Sequence, residues 1–87
     1  MKGYVYIIKS LKWDYYYVGS SIDPARRLKE HNSGNVISMK HRKPYSQVFL
    51  QEFGDINIAE KVETRIKRWK RKDFIKKIIQ DGHIRTI

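Results

Sequence analysis

Two runs of β-branched and aromatic residues, YVYIIK at 4–9 and YYYVGS at 15–20, stand five residues apart near the start of the sequence. Such runs favour β-strands, and a connection this short favours an antiparallel hairpin. Because side chains alternate between the two faces of a strand, Tyr6 and Tyr17 are predicted to share one face of the sheet. The chain is therefore constrained to build on a hairpin that places two tyrosines together.

The segment after the hairpin has the residues that begin and end a helix. Asp23 is a suitable N-cap and Pro24 suits the first helical position. Gly34 suits the left-handed position that closes a helix. Arg27 and His31 are four residues apart, so both side chains are expected on one face of this helix.

A third strand is predicted over residues 45–52, after a basic loop that ends at Pro44. A second helix is expected to begin with Asn57 and Glu60, which have the spacing of a capping box. Its core-facing stripe is formed by four apolar residues at helical spacing: Ala59, Val62, Ile66 and Trp69.

The last part of the sequence predicts a third helix. Asp73 is expected to cap it and Gly82 to end it. For the tail 83–87, a short strand and an irregular end both stay open. The predicted order is β-β-α-β-α-α, which is typical of an α+β fold. We expect a small three-stranded, mainly antiparallel sheet flanked by helices, in a single domain over residues 1–87.

The charge balance is strongly basic. The chain has 19 Lys and Arg against 9 Asp and Glu, a net charge of +10. This balance favours a nucleic-acid partner, because Lys and Arg bind phosphates and release counterions. Two basic runs are candidates for phosphate contacts, the first Lys40, Arg42 and Lys43, the second Arg68, Lys70, Arg71 and Lys72. The alternative is that these runs are plain solvated faces.

Composition excludes several classes of site and protein. The sequence has no cysteine, so disulfides, thiolate–zinc sites and thiol catalysis are excluded. No apolar run approaches the roughly 20 residues that span a membrane. The first residues have too short an apolar segment for a signal peptide, so we expect a cytoplasmic protein without a membrane partner.

Four segments together carry a resemblance to a known family. In order they are VYI at 5–7, YVG at 17–19, RRLKEHNSG at 26–34 and AEKVETRIKRW at 59–69. This series resembles the GIY-YIG nuclease superfamily, in particular its small single-domain bacterial members of the UPF0213-like group. The resemblance covers about residues 3–80. The glycine that opens the first motif and an asparagine late in some relatives have no match here.

The resemblance implies five site residues. Tyr6 and Tyr17 correspond to the two motif tyrosines, and Arg27 to the arginine of the first helix. His31 corresponds to a position that often holds Tyr or His. Glu63 corresponds to the metal-binding glutamate.

Chemical reasoning gives these residues roles in phosphodiester hydrolysis. Glu63 would anchor one Mg²⁺ or Mn²⁺ ion, which keeps several waters and needs few protein ligands, and which would stabilise the leaving oxygen. Arg27 offers a planar fork to the non-bridging phosphate oxygens. Tyr17 would take the proton from the attacking water, and Tyr6 would orient water or phosphate. For His31, a proton relay and a phosphate contact both stay open.

The sequence therefore predicts a divalent-metal-dependent DNA endonuclease, with a role in DNA repair or recombination. In the family, an added DNA-binding domain often chooses the site, and this sequence has no room for one. Three alternatives for its DNA therefore stay open: weak specificity, recognition of branched or nicked structures, and a partner protein that supplies specificity. Two other classes stay open: a non-catalytic nucleic-acid-binding module with the same fold, and a basic protein bound to RNA or the ribosome. Glu63 also has a simpler interpretation, an ion pair with Lys67 at i,i+4.

Overall fold

A computed structural model describes residues 1–69 and 71–84 of the chain. It confirms the α+β fold and the predicted order of strands and helices, with one short 3₁₀ helix in place of the basic loop. The elements are β1 (Gly3–Ser10), β2 (Tyr16–Ser21), α1 (Pro24–Ser33), the 3₁₀ helix (Ile37–Arg42), β3 (Tyr45–Phe53), α2 (Ile56–Trp69) and α3 (Lys72–Asp81). None of the described helices is long and apolar enough to cross a membrane.

The sheet has the strand order β2-β1-β3, and both neighbours run antiparallel to β1. In the predicted hairpin, Tyr6 lies opposite Gly19 and Ile8 lies opposite Tyr17. Paired residues share a face, so Tyr6 and Tyr17 are on the same face, as predicted, with ring centroids 6.3 Å apart. Strand β2 therefore lies at one edge of the sheet, where side chains of α2 can reach around it to the face that carries the two tyrosines.

The central strand β1 is buried on both faces. One face carries Val5 and Ile7 into a core with α2 and α3, built from Val18, Phe49, Ala59, Val62, Ile66 and Ile78. The opposite face carries Tyr6 and Ile8 into a second, more polar core beneath α1 and the 3₁₀ helix, with Met39 and Tyr45. The sheet thus separates an aliphatic core from a tyrosine-rich one.

A β-bulge interrupts the alternation of apolar and polar side chains along β3. Its register shifts where Ile7 faces Phe49 and Ile8 faces Gln47. Tyr45 and Phe49, four residues apart, would share a face in a regular strand. The extra residue sends Phe49 into the aliphatic core and Tyr45 into the tyrosine-rich core.

Helix α1 has the predicted ends. Asp23 Oδ1 accepts a hydrogen bond from the Arg26 backbone N–H at 3.2 Å, and Gly34 closes the helix in the left-handed region at φ 86°. A glycine meets this conformation without the steric cost of a Cβ. These local signals fix the part of the chain that carries Arg27 and His31.

The predicted start and stripe of α2 need two corrections. The helix begins at Ile56, and Asp55 Oδ1 accepts from the Asn57 backbone N–H at 3.0 Å. The Asn57–Glu60 capping box is therefore wrong, because Asn57 already lies inside the helix. Trp69 is also wrong as a core residue: it is 55% exposed. As the last residue of α2 it packs on Phe74 of α3, at a centroid distance of 4.4 Å.

Helix α3 ends as predicted but begins differently. Arg71 occupies the N-cap position, and Asp73 lies in the first turn, where it pairs with Arg71 at 2.9 Å. The Asp73 cap is therefore wrong by two positions. Gly82 closes the helix, with its N–H donating to the Ile78 carbonyl at 3.0 Å. Lys70 and most of the predicted tail, 85–87, lie outside the described residues.

Candidate active site

The tyrosine-rich face brings a tyrosine and a histidine into direct contact. The Tyr6 hydroxyl lies 3.1 Å from Nε2 of His31, although the residues are 25 positions apart in sequence. Tyr6 is 1% exposed and His31 is fully buried. The Tyr17 ring, half-buried, lies 4.9 Å from the His31 ring. Two strands and helix α1 therefore meet in one polar cluster.

Gly19 determines where the Tyr6 ring lies. A Cβ placed on Gly19 would be 2.5 Å from both Cζ and the hydroxyl oxygen of Tyr6, and 3.0 Å from Cε2 of Tyr17. The Tyr6 ring therefore lies directly across the strand backbone, where any side chain would displace it. The motif glycine is explained by this close approach, since its φ is not in the left-handed region.

We expect Gly19→Ala to destabilise the fold and move Tyr6 away from His31. Overpacking of this kind typically costs about 1–3 kcal/mol of unfolding free energy. The measurement is urea unfolding beside Gly54→Ala, since a Cβ on Gly54 meets nothing within 4 Å. Equal stability of the two variants would contradict the packing described here.

Burial determines the protonation states of Tyr6 and His31. Burial raises the pKa of the Tyr6 hydroxyl, against the opposing effect of the Arg27 guanidinium. Burial also lowers the pKa of His31, and the charge of Arg27 lowers it further. At neutral pH the cluster thus holds a protonated phenol and a neutral imidazole, so the Tyr6 hydroxyl can donate its hydrogen bond to Nε2.

The lowered pKa of His31 predicts a stability loss in mild acid. Above pH 6.5 the neutral ring is present in both folded and unfolded chains, and its contribution is complete. As the pH falls below 6.5 toward the lowered pKa, the unfolded chain gains the proton first, and stability falls by up to about 1.4 kcal/mol per pH unit. We expect His31→Gln to flatten this slope in urea titrations between pH 7 and 5. The exposed His41→Gln variant should keep the slope, and a slope unchanged in His31→Gln would contradict the assignment.

Arg27 joins the cluster from helix α1. Its interaction with the Tyr6 hydroxyl is the main cause that raises the pKa of the guanidinium. On its other side, Arg27 Nη1 donates to Oε1 of Glu30 at 2.6 Å. The Arg27 side chain is one third exposed, so the guanidinium lies between the buried phenol and solvent.

Glu63 lies on α2, beneath the opposite face of the sheet, and is linked to the cluster through Lys67. The Ser20 hydroxyl donates to its Oε1, and Lys67 Nζ lies 2.7 Å from its Oε2. The Lys67 ammonium also lies 4.8 Å from the Tyr17 ring centroid, and the charge of Glu63 acts on Tyr6. These contacts are possible because β2 is an edge strand, around which side chains of α2 can reach the tyrosine-rich face.

The structure therefore brings together four of the predicted site residues, Tyr6, Tyr17, Arg27 and His31. Glu63 pairs with Lys67, as the simpler interpretation holds, and of these two only Lys67 contacts the Tyr17 ring. Both interpretations of Glu63 are compatible, since Lys67 links the pair to the cluster. Two hydrogen-bond partners were not anticipated from the sequence. Glu30 could have been found from its i,i+3 spacing to Arg27, whereas Ser20 required the three-dimensional placement of α2 on β2.

A third unanticipated residue, Asn32, fixes α1 to the sheet. Its amide donates to the Tyr45 carbonyl at 3.1 Å and accepts from the Tyr45 N–H at 2.6 Å. This two-way bond satisfies both backbone groups of Tyr45 and holds the adjacent His31 over the sheet. The asparagine of the EHN segment is thus a structural support for the cluster.

The donor set at Glu63 suits a hydrated divalent cation. In the part of the chain that the structure describes, no three acidic, histidine or cysteine side chains form a group that could hold a metal. One carboxylate is nevertheless sufficient for Mg²⁺, which retains several waters and shares its shell with substrate phosphate. An ammonium already lies at Oε2, so this oxygen is oriented to accept a cation.

The two basic runs differ in their surroundings. In the first, the Arg42 guanidinium stacks on Tyr15 at 4.4 Å, and the Ser10 hydroxyl donates to the Arg42 carbonyl at 2.6 Å. In the second, Arg71 pairs with Asp73, and Lys72 pairs with Asp14 at 3.1 Å. The cations of the second run are therefore partly neutralised within the protein.

Comparisons with known proteins identify the family of the chain. Residues 2–78 match the family model of the GIY-YIG catalytic domain. The fold is similar to the solution NMR structure of a UPF0213 protein from Bacillus halodurans, with a TM-score of 0.58 and 28% identity over 94% of this chain and 87% of that one. Comparison with the curated proteins gives no match. The resemblance inferred from the motifs is thus confirmed, and the chain belongs to the GIY-YIG catalytic domain family, which implies a function of the nuclease type.

Proposed function

We propose that this chain is a divalent-metal-dependent endonuclease that hydrolyses DNA phosphodiester bonds, acting as a single domain over residues 1–87. The observation that carries the proposal is the buried tyrosine–histidine pair with a guanidinium beside it. The Glu63 carboxylate is linked to the Tyr17 ring through Lys67. The active-site residues are Tyr6, Tyr17, Arg27, His31 and Glu63.

Tyr17 is the proposed general base. Its ring is half-buried and packs against His31 on one side, with a cation over the ring at 4.8 Å. The phenol first releases its own proton to solvent, and its oxygen then accepts the proton of the attacking water, which becomes the nucleophile.

Tyr6 and His31 act as one unit that orients the reacting groups. Since Tyr6 stays protonated and His31 stays neutral, their hydrogen bond fixes both without adding charge. Arg27 is held against this unit and can turn its remaining N–H groups toward the non-bridging phosphate oxygens. Preorganised donors of this kind stabilise charge in the transition state without reorganisation.

Glu63 is the proposed ligand of Mg²⁺ or Mn²⁺. When bound, the ion supplies Lewis-acid stabilisation of the leaving oxygen. The chain itself contributes the carboxylate, which the Ser20 hydroxyl holds at one oxygen. The other oxygen is paired with the Lys67 ammonium, and the Glu63 side chain keeps 21% of its surface exposed.

Lys40, Arg42 and Lys43 are proposed to bind DNA phosphates on the same face as the active site. They follow Met39, which packs in the same core as Tyr6. The second run, Arg68, Lys70, Arg71 and Lys72, is proposed only as a weaker contact, because Arg71 and Lys72 are paired.

We expect Lys40→Ala/Lys43→Ala to weaken DNA binding and make it less salt-dependent. Each lost phosphate contact reduces the slope of log K against log salt by about 0.9. The measurement is fluorescence anisotropy with a labelled duplex at several salt concentrations. The matched control is Lys61→Ala/Arg65→Ala, which removes the same charge from an open groove on α2. Equal slopes for both double variants would contradict the assignment.

Branched or nicked DNA is the proposed substrate structure, in repair or recombination in the cytoplasm, with a partner protein supplying further specificity. One observation favours the alternative of a binding-only module. Both charged site residues are neutralised by a neighbour on their own helix, Arg27 by Glu30 and Glu63 by Lys67. A domain that had lost its chemistry would be free to keep these pairs.

The test of the proposal is incubation of the protein with supercoiled plasmid in Mg²⁺, in Mn²⁺ and in EDTA. The same assay is then repeated with branched DNA and with RNA of equal length. Nicking that requires the divalent ion supports the nuclease. Salt-steep binding of every substrate without cleavage would support the binding module instead.

A further inference from the structure

Lys67 on helix α2 contacts both Glu63 and Tyr17. Its ammonium lies 2.7 Å from Glu63 Oε2 and 4.8 Å from the centre of the Tyr17 ring. It therefore touches a proposed metal ligand and the proposed base at the same time. Lys61, on the same helix, instead lines an open groove away from the cluster.

The two carboxylate oxygens of Glu63 have different partners, and only Oε2 is paired with a cation. Oε1 accepts from the Ser20 hydroxyl, a neutral donor that can remain in place beside a metal ion. Oε2 is taken by the ammonium. A divalent ion bound at Oε2 would be repelled by the ammonium beside the same oxygen. The metal ion and Lys67 therefore compete for Oε2.

We propose that Lys67 is a positioning residue that holds Glu63 toward the cluster and that a divalent cation must displace. This inference rests on the proposed role of Glu63 as the metal ligand. The side chain of Lys67 is 45% exposed, so the ammonium has room to leave Oε2 while it stays near the Tyr17 ring. Lys67 thereby weakens metal binding in the absence of substrate.

The test measures Mn²⁺ affinity by the electron paramagnetic resonance signal of free Mn²⁺, without DNA. We expect Lys67→Met, which keeps the apolar stem and removes the charge, to bind Mn²⁺ roughly two- to fivefold more tightly than the wild type. Lys67→Arg keeps the charge and should remain near the wild-type value. Lys61→Met, which lowers the net charge equally, should also remain near it.

Three results would overturn the inference. They are an affinity of Lys67→Met equal to or below that of Lys61→Met, a gain equally large in Lys67→Arg, or a gain that persists when Glu63→Gln is added. The proposed function is tested separately by Glu63→Gln alone. If that variant binds Mn²⁺ as well as the wild type, Glu63 is not the metal ligand. If it loses Mn²⁺ while Lys67→Met is unchanged, only the inference about Lys67 fails.

Discussion

Arg27→Ala is expected to lower the single-turnover nicking rate by about two to three orders of magnitude, the usual effect of removing one preorganised donor to a transition state. The Tyr6 hydroxyl raises the pKa of the Arg27 guanidinium, and Arg27 Nη1 donates to Glu30 Oε1 at 2.6 Å, which fixes the guanidinium before substrate arrives. DNA affinity should change little, because one phosphate contact is a small part of the binding of a +10 protein. The measurements are quench-flow nicking and anisotropy binding on the same preparations.

Arg26→Ala is the matched control. Arg26 precedes Arg27 on the same helix, is 62% exposed, and lies 4.0 Å from Glu30. It has the same charge but does not face Tyr6. Arg27→Lys should restore only part of the rate, because an ammonium lacks the planar fork. Equal losses in Arg26→Ala and Arg27→Ala would contradict the assigned role.

Tyr17→Phe is expected to lower the nicking rate by roughly two to four orders of magnitude, the range for a general base. The phenyl ring retains the packing against His31 and Lys67, so stability and DNA affinity should stay close to wild type. The change therefore isolates the hydroxyl oxygen. The measurements are the single-turnover nicking rate, the DNA affinity and the urea unfolding midpoint of Tyr17→Phe beside the wild type.

Tyr16→Phe is the control for Tyr17. Tyr16 is the preceding residue of β2 and points to the other face, against the aliphatic core. Its hydroxyl has no place in the proposed chemistry, so the rate should be unchanged. A wild-type rate in Tyr17→Phe would exclude this tyrosine as the base.

Local sequence signals predicted most of the fold. The caps of α1 at Asp23 and Gly34 depend on single residues and their neighbours, and both are found. Two other local predictions, the Asn57–Glu60 capping box and the Asp73 cap, are wrong because each helix begins before the residue expected to cap it. Other features depend on distant packing. Strand β3 is found as predicted, but its bulge depends on the pairing with β1. The prediction of Trp69 as a core residue is wrong, because α2 ends at this residue and its ring packs on Phe74 of α3.

The site residues also differ in whether local sequence patterns predicted their placement. Strand alternation placed Tyr6 beside Tyr17, and helical spacing placed Arg27 with His31. Only the motif resemblance joined Glu63 to them, because its access to the cluster depends on β2 lying at the sheet edge. The complete burial of His31 was not predicted either, since it results from the fixation of α1 by the next residue, Asn32.

The most direct test of the central claim compares nicking of supercoiled plasmid by the wild type and by Arg27→Ala/Glu63→Gln, purified in parallel and assayed in Mg²⁺ and Mn²⁺. The account predicts that the wild type nicks the plasmid, that the double variant does not, and that both bind it. Equal nicking by the two proteins would show that the activity does not come from this cluster. Binding without nicking by either protein, on plasmid and branched DNA alike, would contradict the nuclease function.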